Sequence, residues 1–516
     1  MFRYSITTFD ATLLQINHLF CENMNQRISI SLLVGIILVI LFWVGCGTGC
    51  SDSDPCPKFI KAVRNKLPTH LGDTCLTDDD WNKLKGISIP EGIRTCSLLD
   101  SNGELNRDSV IAQFTLKPCK KLSYKIYLEA SGSMKNYDNK SMSGGLRTCV
   151  QNFYDFTGKS HKSLAFVSDK IYDANDVIKE VLDEPGNQLF DQAKIKEVPA
   201  GQTLFEKIFG SVIEQLGSSE IALIVSDMCY SRDGEVDATR LAEQAEKAMF
   251  KIFDGPKENY DVLLLQFYGD YDGPYYSHKY PLVKAQTWTN PRPYYLVFIA
   301  QHTAMEEFLN HQGSLDNWKN YVDNQSKNKY LFKTFSDTLA KYCYLSESSD
   351  CTGRLEGAIM TGLKSNNREE NTSVYVGVNL AGVYADKAYL KDVDNYDLGD
   401  NREFELSETL TAKQFRDIVG VSKLNQEVWN KVNPTHVLKL NMLVSSATNQ
   451  SELTVQLKQR FPRWVKASTI PDDTDVDAPN FGSKTFALEQ MMNGLFKAYY
   501  GPNEPTIKTF TIKFKD

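Results

Sequence analysis

The sequence predicts an α/β protein in which a parallel sheet is covered by helices and is followed by a β-rich domain. Segments typical of strands and helices alternate between residues 123 and 300. One strand, IALIVS, is continuously apolar, which is typical of a strand buried on both faces of a parallel sheet. After Cys351 the pattern changes to short strands separated by polar loops. Regular alternation in the first part predicts crossover connections with helices on both sides of the sheet.

The composition is that of a globular protein with more than one domain. A chain of 516 residues is too long for one ordinary domain, and its 42% apolar content is sufficient for a large core. The net charge of −8 and the lack of a Lys/Arg-rich run argue against a nucleic-acid partner. We divide the chain into a signal or anchor segment (1–50), a Cys-containing cap or stalk (51–117), an α/β domain (118–345) and a β-rich domain with one helix (346–516).

An uncharged apolar run at residues 28–44, ISISLLVGIILVILFWV, predicts attachment to a membrane. Its length is short for a membrane span and long for the apolar part of a secretory signal. The end of the run resembles a bacterial lipoprotein signal, in which Cys46, or alternatively Cys50, would receive the lipid; an uncleaved transmembrane helix is the other interpretation. Arg27 before the run and acidic residues after it predict the same orientation for both anchors. We therefore expect a membrane-anchored protein of the cell envelope whose body lies outside the cytoplasm.

The eleven cysteines are consistent with an oxidising compartment. Cys56, Cys75, Cys96 and Cys119 surround the predicted cap, and four cysteines allow three disulfide connectivities. No Cys/His spacing is typical of zinc, so these cysteines are interpreted as structural.

The elements of the α/β part follow from apolar periodicity. We expect strands at residues 124–128, 163–168, 221–226, 261–267 and 294–300, and helices at 146–156, 203–216 and 241–253. In the β-rich part we expect strands at 374–383, 404–406, 437–444 and 453–457, then a helix after Ser483 and a closing strand at 510–514.

Oxygen-bearing side chains occur where three of these elements begin or end. Glu129, Ser131 and Ser133 follow the first strand, Thr203 opens a helix, and Asp227 follows the strand IALIVS. The carboxyl ends of parallel strands meet at one edge of a sheet, so these side chains are expected to converge. Two carboxylates brought close together repel unless a cation or a proton lies between them. The all-oxygen set suits a hard ion such as Mg²⁺, with Mn²⁺ and Ca²⁺ as alternatives.

This pattern resembles the von Willebrand factor A (vWA) domain and its metal-ion-dependent adhesion site. That family carries Asp-x-Ser-x-Ser after the first strand, a Thr in a later loop and an Asp after the fourth strand, and the match extends over residues 118–345. The first position departs from the family, because Glu129 stands where the family has Asp. The resemblance implies a Rossmann-like fold, a bound Mg²⁺ and a protein ligand that contributes an acidic side chain to the ion.

Residues 269–293 interrupt the regular alternation and contain no convincing helix. We interpret them as an inserted hairpin or long loop at the sheet edge, with its turn at 270–273. Tyrosines suit protein contacts, and Tyr271, Tyr275 and Tyr276 are the candidate partner-binding residues. Packing of these rings on the domain itself is the alternative. A metal-free adaptor that binds through this insertion is accordingly the second functional hypothesis.

The sequence does not indicate an enzyme. It contains neither H-E-x-x-H nor G-x-S-x-G, and its seven histidines include no pair at ligand spacing. Asp473, Asp475 and Asp477 alternate as in a calcium loop but lack its Gly and distal Glu, so an exposed acidic loop is expected. A hydrolase that uses Glu129 and Asp227 is the least favoured hypothesis, because no nucleophile with an adjacent base is apparent.

Overall fold

The computed structural model describes most of the chain from residue 55 onward. The described residues are 55–67, 75–76, 78–90, 93, 96–100, 102–114, 117–118, 122–138, 145–158, 160–182, 189–190, 193, 197–199, 203–232, 234–310, 314–334, 338–339, 341–345, 351–356, 359–365, 372–381, 383, 385, 387–419, 426–443 and 452–515. The chain forms two compact units, Met1–Pro118 and Cys119–Asp516. The division lies next to the predicted boundary at residue 117, whereas the chain on both sides of residue 345 belongs to one unit.

The first unit is small and mainly helical. It contains helices Pro55–Lys66, Asp78–Lys85 and Arg107–Gln113, and two short parallel strands, β1 (Cys75–Leu76) and β2 (Lys117–Pro118). A disulfide joins Cys56 to Cys96 beside a core that includes Phe59 and Trp81. The side chains of Cys75 and Cys119 lie outside the described residues.

No helix among the described residues is long and apolar enough to cross a membrane. The apolar run at 28–44 and the candidate lipidation sites Cys46 and Cys50 lie outside the described residues. The membrane anchor therefore stays a prediction.

A seven-stranded mixed sheet forms the centre of the second unit. Its strands are β3 (Ser123–Glu129), β4 (Lys162–Val167), β5 (Ile171–Asp173), β6 (Glu220–Ser226), β7 (Tyr260–Asp270), β10 (Pro291–Gln301) and β11 (Asn328–Phe332); β8 (Gly273–Tyr275) and β9 (Gln286–Trp288) form a separate antiparallel ribbon. The order across the sheet is β11-β7-β10-β6-β3-β4-β5.

The sheet is parallel only at its centre. Strand β3 pairs in parallel with β4 and β6, whereas β10 is antiparallel to both β6 and β7. The prediction of a parallel sheet is therefore confirmed only for the central strands, and the sheet as a whole is mixed. The physical reason lies in residues 269–293, which return the chain as a hairpin instead of a helical crossover, and a hairpin joins antiparallel strands. Residues 269–293 form a hairpin, as predicted, and this hairpin connects two neighbouring strands inside the sheet, β7 and β10.

Helices cover both faces of this sheet, as predicted for the α/β part. Phe298 and Tyr295 lie on opposite faces of β10 because they are three residues apart in a strand. The ring of Phe298 lies 5.4 Å from that of Phe153 in helix Leu146–Phe156. On the other face, the ring of Phe332 in β11 lies 5.8 Å from that of Tyr499 in helix Leu488–Tyr500. The helices are Leu146–Phe156, Ile178–Leu182, Phe205–Glu214, Ala238–Phe253, His302–Asn310, Ser314–Gln325 and Leu488–Tyr500.

The last of these helices belongs to the α/β core. Helix Leu488–Tyr500 packs along Ala238–Phe253, and its buried residues belong to the same core cluster as the central sheet. At Gly494 the two helices approach so closely that a Cβ atom would lie 2.3 Å from the carbonyl oxygen of Glu246 and 2.9 Å from Cβ of Met249. The expectation that this helix packs on the β-rich domain is therefore wrong, because its apolar face is buried against another helix.

The β-rich part contains two sheets that share one core. Its strands are β12 (Thr338–Leu339), β13 (Tyr342–Leu345), β14 (Cys351–Glu356), β15 (Ile359–Ser365), β16 (Thr372–Val378), β17 (Tyr396–Asp397), β18 (Phe404–Thr411), β19 (His436–Met442), β20 (Glu452–Lys458) and β23 (Thr506–Lys515). One sheet has the order β14-β15-β23-β20-β17, with β12 beside β23, and the other has the order β13-β16-β19-β18. Val376 and Leu438 of the second sheet are buried in one cluster with Val455 and Phe510 of the first, as in a β-sandwich.

The remaining elements are short. They comprise β21 (Thr469–Ile470), β22 (Thr485–Phe486) and helices Lys387–Lys391, Ala412–Val419, Gln426–Val432 and Arg463–Ala467. Strands β21 and β22 pair in parallel and bracket the loop that carries Asp473.

Candidate metal centre

The five residues predicted as metal ligands line one cleft. Its volume is about 660 Å³, and its lining includes Glu129, Ser131, Ser133, Thr203 and Asp227. Glu129 is the last residue of β3 and Asp227 directly follows β6, so the parallel pairing of these strands brings both carboxylates to the same edge of the sheet. Both residues are buried, with 2% and 3% of their surface exposed.

The loop after β3 presents two hydroxyl groups to the cleft. The Ser131 and Ser133 Oγ atoms lie 3.1 Å apart, and the backbone N–H of Met134 donates to Ser131 Oγ at 3.4 Å. A turn of 3₁₀-helix, Met134–Tyr137, follows immediately. The sharp change from strand to 3₁₀-helix therefore keeps both serines at the carboxyl end of β3.

Thr203 lies just before helix Phe205–Glu214 and beside the carboxyl end of β4. The N–H of Leu204 donates to the carbonyl of Ser168, the residue that follows β4, at 3.2 Å. The Thr203 hydroxyl donates to Glu129 Oε1 at 2.6 Å. The ends of β3 and β6 and the start of this helix thus place oxygen-bearing side chains at one edge of the sheet.

The site leaves one carboxylate oxygen without a partner. Glu129 Oε2 is buried and makes no hydrogen bond among the described residues. Burial, and secondly the Asp227 carboxylate, raise the pKa of Glu129 from its ordinary value of 4.5 to about 8, against the opposing effect of the nearby hydroxyl groups of Ser226, Thr203 and Ser131. At neutral pH the pair is therefore stabilised by a proton or by a cation.

The donor set fits a hard divalent ion. Two carboxylates and three hydroxyls are oxygen ligands of the kind that Mg²⁺ and Ca²⁺ prefer, and a buried unpaired carboxylate oxygen gains most from an adjacent cation. Glu129 already accepts a hydrogen bond from the Thr203 hydroxyl through Oε1, so the carboxylate and this hydroxyl lie next to each other in the cleft.

A buried pair that the sequence did not indicate also lines this cleft. His278 Nδ1 lies 2.5 Å from Asp473 Oδ1, which also accepts from the backbone N–H of His278 at 3.1 Å, and the Tyr275 hydroxyl donates to Asp473 Oδ2 at 2.5 Å. The expectation of an exposed acidic loop is therefore wrong for Asp473, although Asp475 and Asp477 are exposed. No sequence signal could have found the pair, because 195 residues separate its members.

This pair is better described as a structural network than as a second metal centre. Within the described part of the chain, His278, Asp472 and Asp473 are the one set of three metal-binding side chains whose ligand atoms lie within 4.8 Å of one another. Both Asp473 oxygens already accept hydrogen bonds, and Asp472 is exposed. His278 also stacks on Phe486, with ring centroids 4.6 Å apart. The network therefore ties the insertion to the loop between β21 and β22.

Two of the three tyrosines predicted to bind a partner are part of the core. Tyr271 and Tyr275 are 1% and 2% exposed. Tyr275 lies over the buried guanidinium of Arg292, whose carbon is 4.4 Å from the ring centroid. The alternative interpretation, in which these rings pack on the domain itself, is therefore confirmed for Tyr271 and Tyr275. Tyr276 is half-buried and lines the cleft, so it remains a candidate.

A thiol and an amine complete the lining of the cleft next to the carboxylates. Burial and the neighbouring Asp227 raise the pKa of the Cys229 thiol well above its usual range, so this cysteine is protonated and unreactive at neutral pH. Lys135 also lines the cleft.

Comparison with known proteins identifies no relative, since no protein-family model, no curated protein and no solved structure matches the chain. The fold defines the class of the chain as a mixed α/β protein with a β-sandwich. The geometry of the cleft is the feature that bears on its function.

Proposed function

We propose that this chain is a vWA-like, metal-dependent protein-binding protein of the cell envelope. The observation that carries the proposal is the convergence of Glu129, Ser131, Ser133, Thr203 and Asp227 on one cleft at the carboxyl ends of three parallel strands. The parallel pairing of β3 with β4 and β6 brings these residues to one edge of the sheet, but two buried carboxylates that line the same cleft repel each other. A bound cation would offset this repulsion.

The ion proposed for this site is Mg²⁺, with Mn²⁺ and Ca²⁺ as alternatives. Glu129 and Asp227 would supply the negative charge, and the serine and threonine hydroxyls would supply neutral oxygens. The unpaired Glu129 Oε2 supports this assignment, because a cation would satisfy the atom that the protein leaves without a partner. When bound, the ion would act as an electrophilic contact for an oxygen of a ligand.

The ligand that fits such a centre is an acidic side chain of another protein. Two carboxylates and three hydroxyls neutralise a divalent ion but fill only five of the six positions that Mg²⁺ prefers, so one position would remain open for an oxygen of a third carboxylate. The β-sandwich, which belongs to the same compact unit, would act as a platform for the cleft.

The proposed location is outside the cytoplasm on a membrane anchor. The disulfide between Cys56 and Cys96 supports an oxidising compartment. Thiol labelling of whole cells before and after treatment with a reductant tests this: both cysteines should react only after reduction. Labelling without reductant would contradict the proposed location.

The metal site is tested by thermal unfolding with Mg²⁺ and with a chelator. An ion present at about 100 times its Kd stabilises a protein by about 3 kcal/mol, so Mg²⁺ should raise the Tm by several degrees. Asp227→Asn retains an acceptor for the N–H of Cys229, which now lies 3.1 Å from Asp227 Oδ1, but removes the charge. This variant should lose the effect of Mg²⁺, whereas the matched control Asp272→Asn, an exposed site on the insertion, should retain it. Equal responses of the two variants would refute the metal centre.

The metal-free adaptor stays as the second candidate because part of the insertion is exposed. Tyr280 and Leu282 are 46% and 76% exposed at its tip. An adaptor of this kind would bind its partner equally well with Mg²⁺ and with chelator. The proposed metal-dependent protein would lose binding in chelator.

A further inference from the structure

A second cavity lies where the α/β core meets the β-sandwich. Its volume is about 350 Å³, and small-molecule sites in proteins have volumes of about 300–1,000 Å³. Tyr389 on its wall belongs to the core of the sandwich, whereas Trp464 packs against the core of the central sheet. The cavity is open to solvent at Arg463, whose side chain is 72% exposed. It shares no lining residue with the metal cleft, so it is a separate site.

Two donor groups on this cavity are buried without an acceptor. Within the described part of the chain, neither Nε1 of Trp464 nor Nε of Arg460 has a hydrogen-bond partner. Oε2 of Glu504 lies 3.3 Å from Arg460 Nε, close enough for an ion pair but without the alignment of a hydrogen bond. A buried N–H group that lacks an acceptor costs free energy, which an oxygen atom of a ligand would recover. The cavity therefore favours a ligand that is rich in acceptor oxygens.

The charges on the cavity balance, which favours a neutral ligand. Arg460 lies beside Glu504, and Nη1 of Arg463 lies 3.0 Å from Asp392. Nη2 of Arg463 lies 2.5 Å from Asp394. A phosphate, an amine or an amino-acid zwitterion would have to compete with these ion pairs for its own partner. Hydroxyl groups, in contrast, can donate to the carboxylates and accept from the guanidinium groups while the pairs stay intact.

Aromatic rings supply the apolar part of the lining, and hydrogen bonds hold it in place. Tyr389, Phe461 and Trp464 line the cavity together. The Tyr389 hydroxyl donates to the carbonyl of Lys458 at 2.5 Å and accepts from the N–H of Arg460 at 2.7 Å. Because these contacts exist without a ligand, little freedom is lost when one binds. Flat rings beside polar groups suit a molecule with C–H groups on its faces and hydroxyls around its edge.

We propose that this cavity binds a neutral sugar in its pyranose form. The aromatic rings would cover the C–H groups on the faces of the sugar ring. Its hydroxyl oxygens would accept from Trp464 Nε1 and Arg460 Nε, and the same hydroxyls would donate to the carboxylates of Asp392 and Glu504. The inference does not rest on metal binding, because different residues line the two sites.

The first test follows the indole N–H groups of the intact protein by nitrogen–proton NMR. The chain has six tryptophans, and the signal that is missing from Trp464→Phe belongs to Trp464. The probes are the methyl glycosides of β-glucose, β-galactose, α-mannose and N-acetyl-β-glucosamine, each at up to about 10 mM, which nearly saturates a site with a Kd of about 1 mM. We expect at least one of these sugars to shift the Trp464 signal, equally with Mg²⁺ and with chelator. L-leucine, a zwitterion, should leave the signal unchanged.

Two variants test the unpartnered donors by saturation-transfer NMR on the sugar. Trp464→Phe keeps an aromatic ring but removes the donor, and it should weaken the sugar affinity by about three- to tenfold. Arg460→Lys keeps a positive charge beside Glu504 but removes Nε, and it should weaken the affinity by a similar factor. The matched control Trp288→Phe removes an indole outside the cavity, whose Nε1 already donates to the carbonyl of Asn290 at 2.9 Å, and it should leave the affinity unchanged.

Three results would overturn the sugar site: no glycoside binds, L-leucine binds more tightly than every sugar, or Trp464→Phe and Trp288→Phe bind the sugar equally well. A loss of sugar binding in chelator would overturn it too, since the site would then depend on the metal cleft. If the Tm shows that Trp464→Phe is unfolded, sugar binding to the unaltered protein and to Arg460→Lys decides in its place. Stabilisation by Mg²⁺ is measured separately, so failure of the sugar site leaves the proposed metal centre intact.

Discussion

Mg²⁺ binding at this site should depend steeply on pH, and the dependence should disappear in Glu129→Gln. In the metal-free protein, burial and the Asp227 carboxylate raise the pKa of Glu129 to about 8. At neutral pH the side chain therefore holds a proton. An ion that binds between the two carboxylates has to displace this proton, so protons compete with Mg²⁺ below pH 8.

The magnitude follows from the pKa. If one proton leaves for each ion that binds, the apparent affinity should fall by about fiftyfold from pH 8 to pH 6 and should change by less than about twofold from pH 8 to pH 9. At pH 7 about one proton should be released per Mg²⁺. The glutamine variant retains the size of the side chain but cannot titrate, so its weaker affinity should be almost independent of pH.

Isothermal titration calorimetry in buffers of different ionisation enthalpy measures both the affinity and the number of protons released. Two results would refute the reasoning: an affinity of the unaltered protein that is flat between pH 6 and pH 8, or a pH dependence that Glu129→Gln leaves unchanged. The first would mean that Glu129 is ionised without metal, and the second that another group carries the titration.

Three further predictions concern stability. In chelator, the free energy of unfolding of the unaltered protein, compared with that of Glu129→Gln, should be largest below about pH 4.5 and should fall by about 1.4 kcal/mol per pH unit until about pH 8. The reason is that the folded protein binds the proton of Glu129 more tightly than the unfolded chain does. Urea unfolding at pH 5, 7 and 9 measures this trend, and a rise with pH would contradict it. Asp473→Asn should lower the free energy of unfolding by about 3 kcal/mol in the same assay, since it breaks a buried hydrogen-bonded network. The exposed control Asp475→Asn should change it by less than about 0.5 kcal/mol. Similar losses in the two variants would show that the network is not stabilising. Gly494→Ala should lower the free energy of unfolding by about 2 kcal/mol or more, because its Cβ would overlap the facing helix. The control Gly210→Ala, with no atom within 4 Å of its Cβ, should leave the free energy of unfolding unchanged or raise it. An unchanged stability of Gly494→Ala would contradict the close helix packing.

The local sequence determined most of the elements of this protein. The predicted helix at 146–156 matches Leu146–Phe156, and the apolar run IALIVS lies in the strand Glu220–Ser226. Periodicity is sufficient here because a buried strand or an amphipathic helix has to form its backbone hydrogen bonds and present an apolar surface to the core. The order of consecutive residues determines where that apolar surface lies. The convergence of Glu129, Thr203 and Asp227 was predictable for a related reason. Each residue stands where a strand ends or a helix begins, and the alternation of strands and helices predicts that the central strands run in the same direction.

Only the tertiary structure decided the features that depend on residues distant in the chain. The antiparallel position of β10, the packing of helix Leu488–Tyr500 on the α/β core and the burial of Asp473 against His278 each depend on which surfaces meet, and local periodicity does not contain that information. The pattern of the chain by itself therefore determined that an oxygen-lined edge exists. Long-range packing decided that an anchored insertion with exposed apolar residues stands beside it, because the free energy of burying distant surfaces together appears only when the chain has folded.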